Sequence, residues 1–87
     1  MTHRTLTFTD AAWEDYPYWP GQDKKTLWRI NELNQASLRT PFEGMGKPEP
    51  LRGNLSGLWS RRIDQANRLV YDVADASISI IACRYHY

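Results

Sequence analysis

A single cysteine in 87 residues leaves no internal disulfide to staple the chain, so its stability has to come from packing. Cys83 stands in an apolar run, where the plain expectation is a small core residue. Histidine is almost as scarce. His3 and His86 lie at opposite ends without the spacing of metal ligands, and no metal or other cofactor is expected. No apolar stretch approaches the roughly 20 residues of a membrane-spanning helix. Nor does a secretory signal open the sequence; together with the lack of disulfides, this leads to an expectation of the cytoplasm, away from any membrane. A Gly-x-Ser-x-Gly elbow, a Walker loop and a dinucleotide fingerprint are all missing. Gly44-Met45-Gly46-Lys47 has the look of a phosphate loop, but Pro48 follows where a helix would have to begin.

A marked excess of either charge is lacking too, and the net charge of +1 says nothing of nucleic acid by itself. The distribution says more. Residues 1–46 carry five cations against six carboxylates, whereas residues 47–87 carry six against four. All but one of the latter six are arginine, whose planar fork matches phosphate oxygens.

What is present suits one small domain spanning residues 1–87, with four Trp and five Tyr to enlarge the core. A strand is expected at Thr5–Phe8, followed by a helix over Ala11–Tyr18 that Asp10 of the Thr9-Asp10 pair would cap. Ala12, Trp13, Tyr16 and Trp19 would form its apolar stripe, and Pro20-Gly21 would stop it. A longer helix should run from Gln22 to about Leu38, burying Leu27, Trp28, Ile30, Leu33 and Ser37 or Leu38. The short connection makes the two a helical hairpin. Thr40 to Pro50 holds three of the five prolines and two of the five glycines and reads as a loop, with Glu49 stiffened between Pro48 and Pro50. Gly53 to Gly57 is a second turn.

Strands then follow at Leu58–Asp64, Arg68–Ala74 and Ser77 to about Tyr85, joined by turns too short for crossovers and therefore antiparallel. The last is apolar on both faces at its middle, as a central strand would be. The fold class expected is α+β in two layers, with the N-terminal strand and helical hairpin packed on one face of an antiparallel sheet. Alternation sets Trp59, Arg61 and Ile63 on one face and Arg62 on the other, and it sets Arg68 opposite Leu69, Tyr71 and Val73. If the latter set meets the helices, Arg62 and Arg68 share the uncovered face.

Three elements could converge there: the Glu49 loop, the hairpin arginines, and the run Arg84-Tyr85-His86-Tyr87. RNA cleavage without a metal needs a base for the ribose 2′-hydroxyl, cations for the transition-state phosphate, and an acid for the departing 5′-oxygen. Glu49 suits the base, Arg68 and Arg62 the phosphate, and His86 the acid, since only imidazole titrates near neutral pH unperturbed. Lys47 and Arg52 could hold flanking phosphates, and Tyr85 and Tyr87 could stack on an unpaired base. Each has a duller reading: Glu49 as an exposed loop acid, Arg61-Arg62 as half a solvated strand face, Arg68 as a partner of Asp64 or Asp72, and His86 as a surface residue.

The run Thr40-Pro41-Phe42-Glu43-Gly44-x-Gly46-Lys47-Pro48-Glu49-Pro50-Leu51 resembles the YoeB family of toxins within the RelE superfamily. So do Asn54-Leu55-Ser56-Gly57-x-Trp59-Ser60-Arg61-Arg62-Ile63, Arg68-Leu69-Val70-Tyr71 and Ala82-Cys83-Arg84-Tyr85-His86-Tyr87. The resemblance, which also takes in Trp13-Glu14-Asp15-Tyr16 and Ile30-Asn31-Glu32-Leu33, implies a toxin that enters the ribosome and cuts messenger RNA at the A-site codon, leaving a 2′,3′-cyclic phosphate. It puts the general base on Glu49, the phosphate-binding arginine on Arg68, a second arginine on Arg62, the acid on His86 and the base-packing tyrosine on Tyr87. Arg52 stands where some members have lysine, and Met45 where a lysine can occur. The resemblance further implies a YefM-like antitoxin, contact with operator DNA only through the toxin–antitoxin complex, and a homodimer when the toxin is alone. The alternatives are a non-catalytic RNA- or partner-binding module and a gyrase-poisoning ParE-like toxin of the same fold, a group that typically lacks the Glu/Arg/His set.

Overall fold

A computed structural model describes residues 4–16 and 24–83. The chain opens with β1 (Thr5–Phe8) and passes directly into α1 (Asp10–Asp15). Thr9, not Asp10, caps this helix: its backbone is still extended, and its hydroxyl accepts from the Ala12 amide at 3.2 Å. Asp10 is already helical, where its charge meets the positive end of the peptide dipoles. The Thr9 hydroxyl and amide also reach the carbonyls of Ile81 and Ile80 at 3.2 and 3.0 Å, fixing the start of α1 on the sheet. Trp19, the Pro20-Gly21 stop and the hairpin connection lie outside the described residues.

Helix α2 (Lys24–Arg39) buries Thr26, Ile30, Leu33, Asn34, Ala36 and Ser37 along one stripe. Trp28 does not join them and is 71% exposed. At about 100° per residue it points some 160° away from Ile30, so spacing rather than hydrophobicity decides its side. Trp13 is likewise exposed, although its ring lies against Phe8 and Tyr16.

The remaining strands are β2 (Glu49–Pro50), β3 (Leu58–Arg62), β4 (Arg68–Val73) and β5 (Ser77–Ala82), in the sheet order β1-β5-β4-β3-β2. The meander β3-β4-β5 is antiparallel and β5 is internal, in line with its apolar character. The N-terminal strand differs from expectation. Rather than packing on a face, β1 joins the edge of the sheet parallel to β5, which the intervening helical crossover permits. A two-layer α+β fold results, with Ala12, Ile30 and Leu33 of the helices meeting Ile63, Leu69, Tyr71, Ile78 and Ile80 of the sheet side. Each of the Ile and Leu side chains among them contributes about 1.5–3 kcal/mol by leaving water.

Between the pairs Tyr71↔Ile80 and Val70↔Ala82 one residue of β5, Ile81, is skipped. This bulge reverses the parity beyond it, and Cys83 enters the core cluster. Burial pushes its thiol up to about 12, helped by the charge of Asp15. It is the core residue its surroundings in the sequence suggested.

Candidate active site

In the hairpin, Arg62 faces Arg68, Arg61 faces Leu69, Ser60 faces Val70 and Trp59 faces Tyr71. Leu69 and Tyr71 belong to the core under the helices, so Arg62 and Arg68 lie together on the opposite face. The turn that aligns them is held by Asp64, whose Oδ1 accepts from the amides of Ala66 and Asn67 at 2.9 and 2.8 Å. Asp64 is thus occupied in shaping the turn.

Arg68 binds elsewhere. Its Nη2 donates to Glu49 Oε1 at 2.6 Å and its Nε to Ser60 Oγ at 3.1 Å. The loop expected to carry Glu49 ends as the short edge strand β2, which sets Glu49 opposite Ser60 and Pro50 opposite Trp59. An edge is where a strand proline is tolerated, since its missing N–H would face solvent. The Glu49 side chain is 59% exposed and that of Arg68 only 16%, so the carboxylate stands at the mouth and the guanidinium beneath it. Among the described residues, two of the five N–H groups of Arg68 are used in these bonds, which leaves three to meet an anion. Lys47 and Arg52 are exposed and bracket β2 on either side. Glu49, Arg68 and Arg62 are therefore brought together, whereas Tyr85, His86 and Tyr87 lie outside the described residues.

Of the duller reading, in which Arg61-Arg62 is half a solvated strand face, only Arg62 remains in solvent, because Arg61 is wholly buried. Its Nε donates to Tyr71 Oη at 3.1 Å, its Nη1 to the Met45 carbonyl at 2.7 Å, and its Nη2 to the carbonyls of Glu43, at 3.1 Å, and Thr40. Among the described residues no carboxylate pairs with it. Its position at the C-terminal end of α2, where unpaired carbonyls gather negative charge, offsets part of the cost of burying a cation. Tyr71 in turn donates to the Pro41 carbonyl at 2.7 Å. Burial raises its phenol above the usual value, and Arg61 offsets this only in part. Alternation had already set Arg61 beside Trp59 and Ile63; that signal was in the sequence and outweighs the habit of counting arginine as surface.

The approach to Glu49 is tight elsewhere too. The Arg62 amide donates to the Gly46 carbonyl at 2.7 Å. Gly46 has φ +81°, and a Cβ there would lie 2.7 Å from Leu33 Cδ2. Lys47 follows with φ +50°, an uncommon angle for a residue with a side chain.

The profile of the YoeB-like toxins of bacterial type II toxin–antitoxin systems matches residues 8–87. The chain belongs to this toxin family. It is 57% identical to Toxin YoeB of Escherichia coli (strain K12) over 94% of its own length and 98% of that protein. It is also similar to the YoeB dimer from Staphylococcus aureus, with 47% identity, a TM-score of 0.89 and coverage of 99% of this chain and 100% of that one. The heterotetrameric YoeB–YefM toxin–antitoxin complex from the same organism matches at 47% identity and a TM-score of 0.86, again over 99% and 100%. In this YoeB-like chain a concavity of about 430 Å³ lies on the outer side of α2, lined by Trp28, Asn31, Glu32, Gln35, Arg39 and Met45. None of these belongs to the Glu49–Arg68 group, which lies on the other face of the sheet.

Proposed function

We propose that this YoeB-like toxin is an endoribonuclease that cuts messenger RNA in the A site of the ribosome by acid–base chemistry carried on side chains alone. One observation carries the reading: the carboxylate of Glu49 touches Arg68 at 2.6 Å, with Arg62 directly across from Arg68, on the sheet face the helices leave uncovered. Glu49 takes the proton of a ribose 2′-hydroxyl, and the freed oxygen attacks the neighbouring phosphorus. Arg68 and Arg62 meet the charge that builds on the phosphate oxygens, an effect worth about 3–4 kcal/mol per well-aimed donor. The bond from phosphorus to the 5′-oxygen breaks, His86 gives that oxygen a proton, and the products are a 2′,3′-cyclic phosphate and a 5′-hydroxyl end. His86 is four residues beyond Ala82, whose register partner Val70 lies two residues from Arg68 on the same strand face. Lys47 and Arg52 serve flanking phosphates, and Tyr85 and Tyr87 stack on the displaced base.

In the same reading the toxin works in the cytoplasm on the small ribosomal subunit, pairs with a second copy when alone, and is restrained by a YefM-like antitoxin. Operator DNA is met only through the toxin–antitoxin complex. The Staphylococcus aureus relatives, seen as a dimer and with YefM, support these partners. The test is to add purified protein to ribosomes translating a defined message and to map the new ends. Wild type should leave 5′-hydroxyl ends, and Glu49→Ala, Arg68→Ala and His86→Ala should each cut roughly 10²- to 10⁴-fold more slowly with an unchanged fold. If all three cut like wild type, the site is wrongly assigned. A wild type that spares the message but poisons gyrase would make the chain ParE-like.

A further inference from the structure

The segment from the end of α2 to β2 is anchored at almost every other residue, and most of its anchors run to one side chain. Arg61 takes the carbonyls of Thr40, Glu43 and Met45, while Tyr71, itself bound to Arg61, takes that of Pro41. The Arg62 amide takes Gly46, and three residues later Glu49 enters the sheet opposite Ser60. Among the described residues the remaining hydrogen bond of Arg61 goes to Tyr71, whose ring also lies 5.6 Å from centroid to guanidinium carbon. A buried cation is a poor device for stability alone, since apolar replacements of buried ionic groups are often neutral or better. Its advantage is geometric. One planar fork can hold three turn carbonyls at fixed angles, which no apolar side chain and no lysine can do.

We infer that Arg61 is a positioning residue: its buried guanidinium sets the path of residues 40–46 and thereby holds the Glu49 carboxylate against Arg68. The inference rests on the proposed nuclease chemistry, because the cost of misplacing Glu49 appears only if Glu49 acts on substrate. A displacement of about 1 Å in a reacting group can cost on the order of 10²-fold in rate. Arg61 itself lies on the helix side of the sheet and touches no substrate.

Two substitutions, and the chemical rescue of a third, test this. Arg61→Met keeps the buried volume and removes the fork; Arg61→Lys keeps the charge and loses the planar geometry. Both are compared with wild type by hydrogen exchange and by single-turnover and steady-state cleavage on programmed ribosomes. The hydrogen-bonded loop amides of Thr40 and Glu43 should exchange at least about tenfold faster in both variants, while those of Leu69, Tyr71, Ile78 and Ile80 keep their protection. The maximal cleavage rate should fall roughly 10- to 100-fold with little change in KM. In Arg61→Ala, millimolar guanidinium should restore part of the rate and of the loop protection, where sodium at equal ionic strength does not. The proposal is overturned if the loop loosens while the rate stays within twofold of wild type, or if core and loop amides lose protection together and guanidinium restores neither. Should wild type itself leave no 5′-hydroxyl ends, the nuclease reading falls and the positioning role with it. Wild-type cleavage matched by Arg61→Met sinks the positioning role alone.

Discussion

Replacing Gly46 by alanine tests how closely the loop before Glu49 is packed, and it does so whether or not the nuclease chemistry is right. Two costs arise. The φ of +81° belongs to the left-handed region, where a side chain costs roughly 1–2 kcal/mol. The new Cβ would also lie 2.7 Å from Leu33 Cδ2, 3.1 Å from Arg61 Cβ and 3.3 Å from the Arg62 carbonyl. Leu33 is fully buried and the carbonyl is part of β3, so neither can swing aside. Overpacking of this kind costs about 1–3 kcal/mol, giving a total of about 2–5 kcal/mol. Gly53 supplies the control, for it has φ +68° and nothing within 4 Å of a built Cβ. Alanine there incurs only the backbone cost, and the difference between the two variants isolates the packing. In a domain of this size about 1–3 kcal/mol corresponds to roughly 5–20 °C in melting temperature. Melting curves by circular dichroism at one protein concentration measure it, the concentration being fixed because self-association raises the apparent stability. Equal melting temperatures for Gly46→Ala and Gly53→Ala would refute the argument.

The strand pattern was legible because period-two alternation survives in a short meander. It set Arg62 and Arg68 on one face and Leu69 and Tyr71 on the other, as the register has them. Departures fall where a residue's type and its position point in opposite directions. Trp28 is apolar but faces solvent, and Arg61 is charged but lies in the core; helical and strand periodicity, taken strictly, assign both correctly. The cap moved from Asp10 to Thr9 because β1 runs straight into α1, leaving Thr9 as the last extended residue. Two features had no local signal. The parallel pairing of β1 with β5 depends on contacts 72 residues apart, as between Thr7 and Ser79 at 2.9 Å. The duller reading of Arg68, a pairing with Asp64 or Asp72, gives way to Glu49, which strand pairing delivers from 19 residues away. Sequence could nominate the groups of the site, whereas only the register could bring Glu49 and Arg68 into contact.

Three further results bear on this arrangement. Removing the hydroxyl in Ser60→Ala frees the Nε side of Arg68, which should lower the cleavage rate severalfold while costing about 0.5–1.5 kcal/mol in urea unfolding; an unchanged rate would mean that Glu49 alone orients the guanidinium. Cys83 is fully buried with its thiol pushed to about 12, so iodoacetamide at pH 8 should not label the native protein, and rapid labelling without unfolding would contradict that burial. The same group gives an alkaline limb to stability. In the unfolded chain the thiol ionises near its ordinary value of 9.0, whereas in the fold it holds its proton to about 12. The unfolded state thus binds fewer protons over that interval, and stability, full below pH 9, falls as pH climbs towards 12. Tyr71, raised above 10.0 by burial, acts in the same direction at the upper end. Unfolding in urea from pH 8 to 11 should show the decline in wild type and a shallower one in Cys83→Ala, with Tyr71 contributing to the slope that remains. An identical slope in the two proteins would show that the buried thiol does not resist ionisation in the fold.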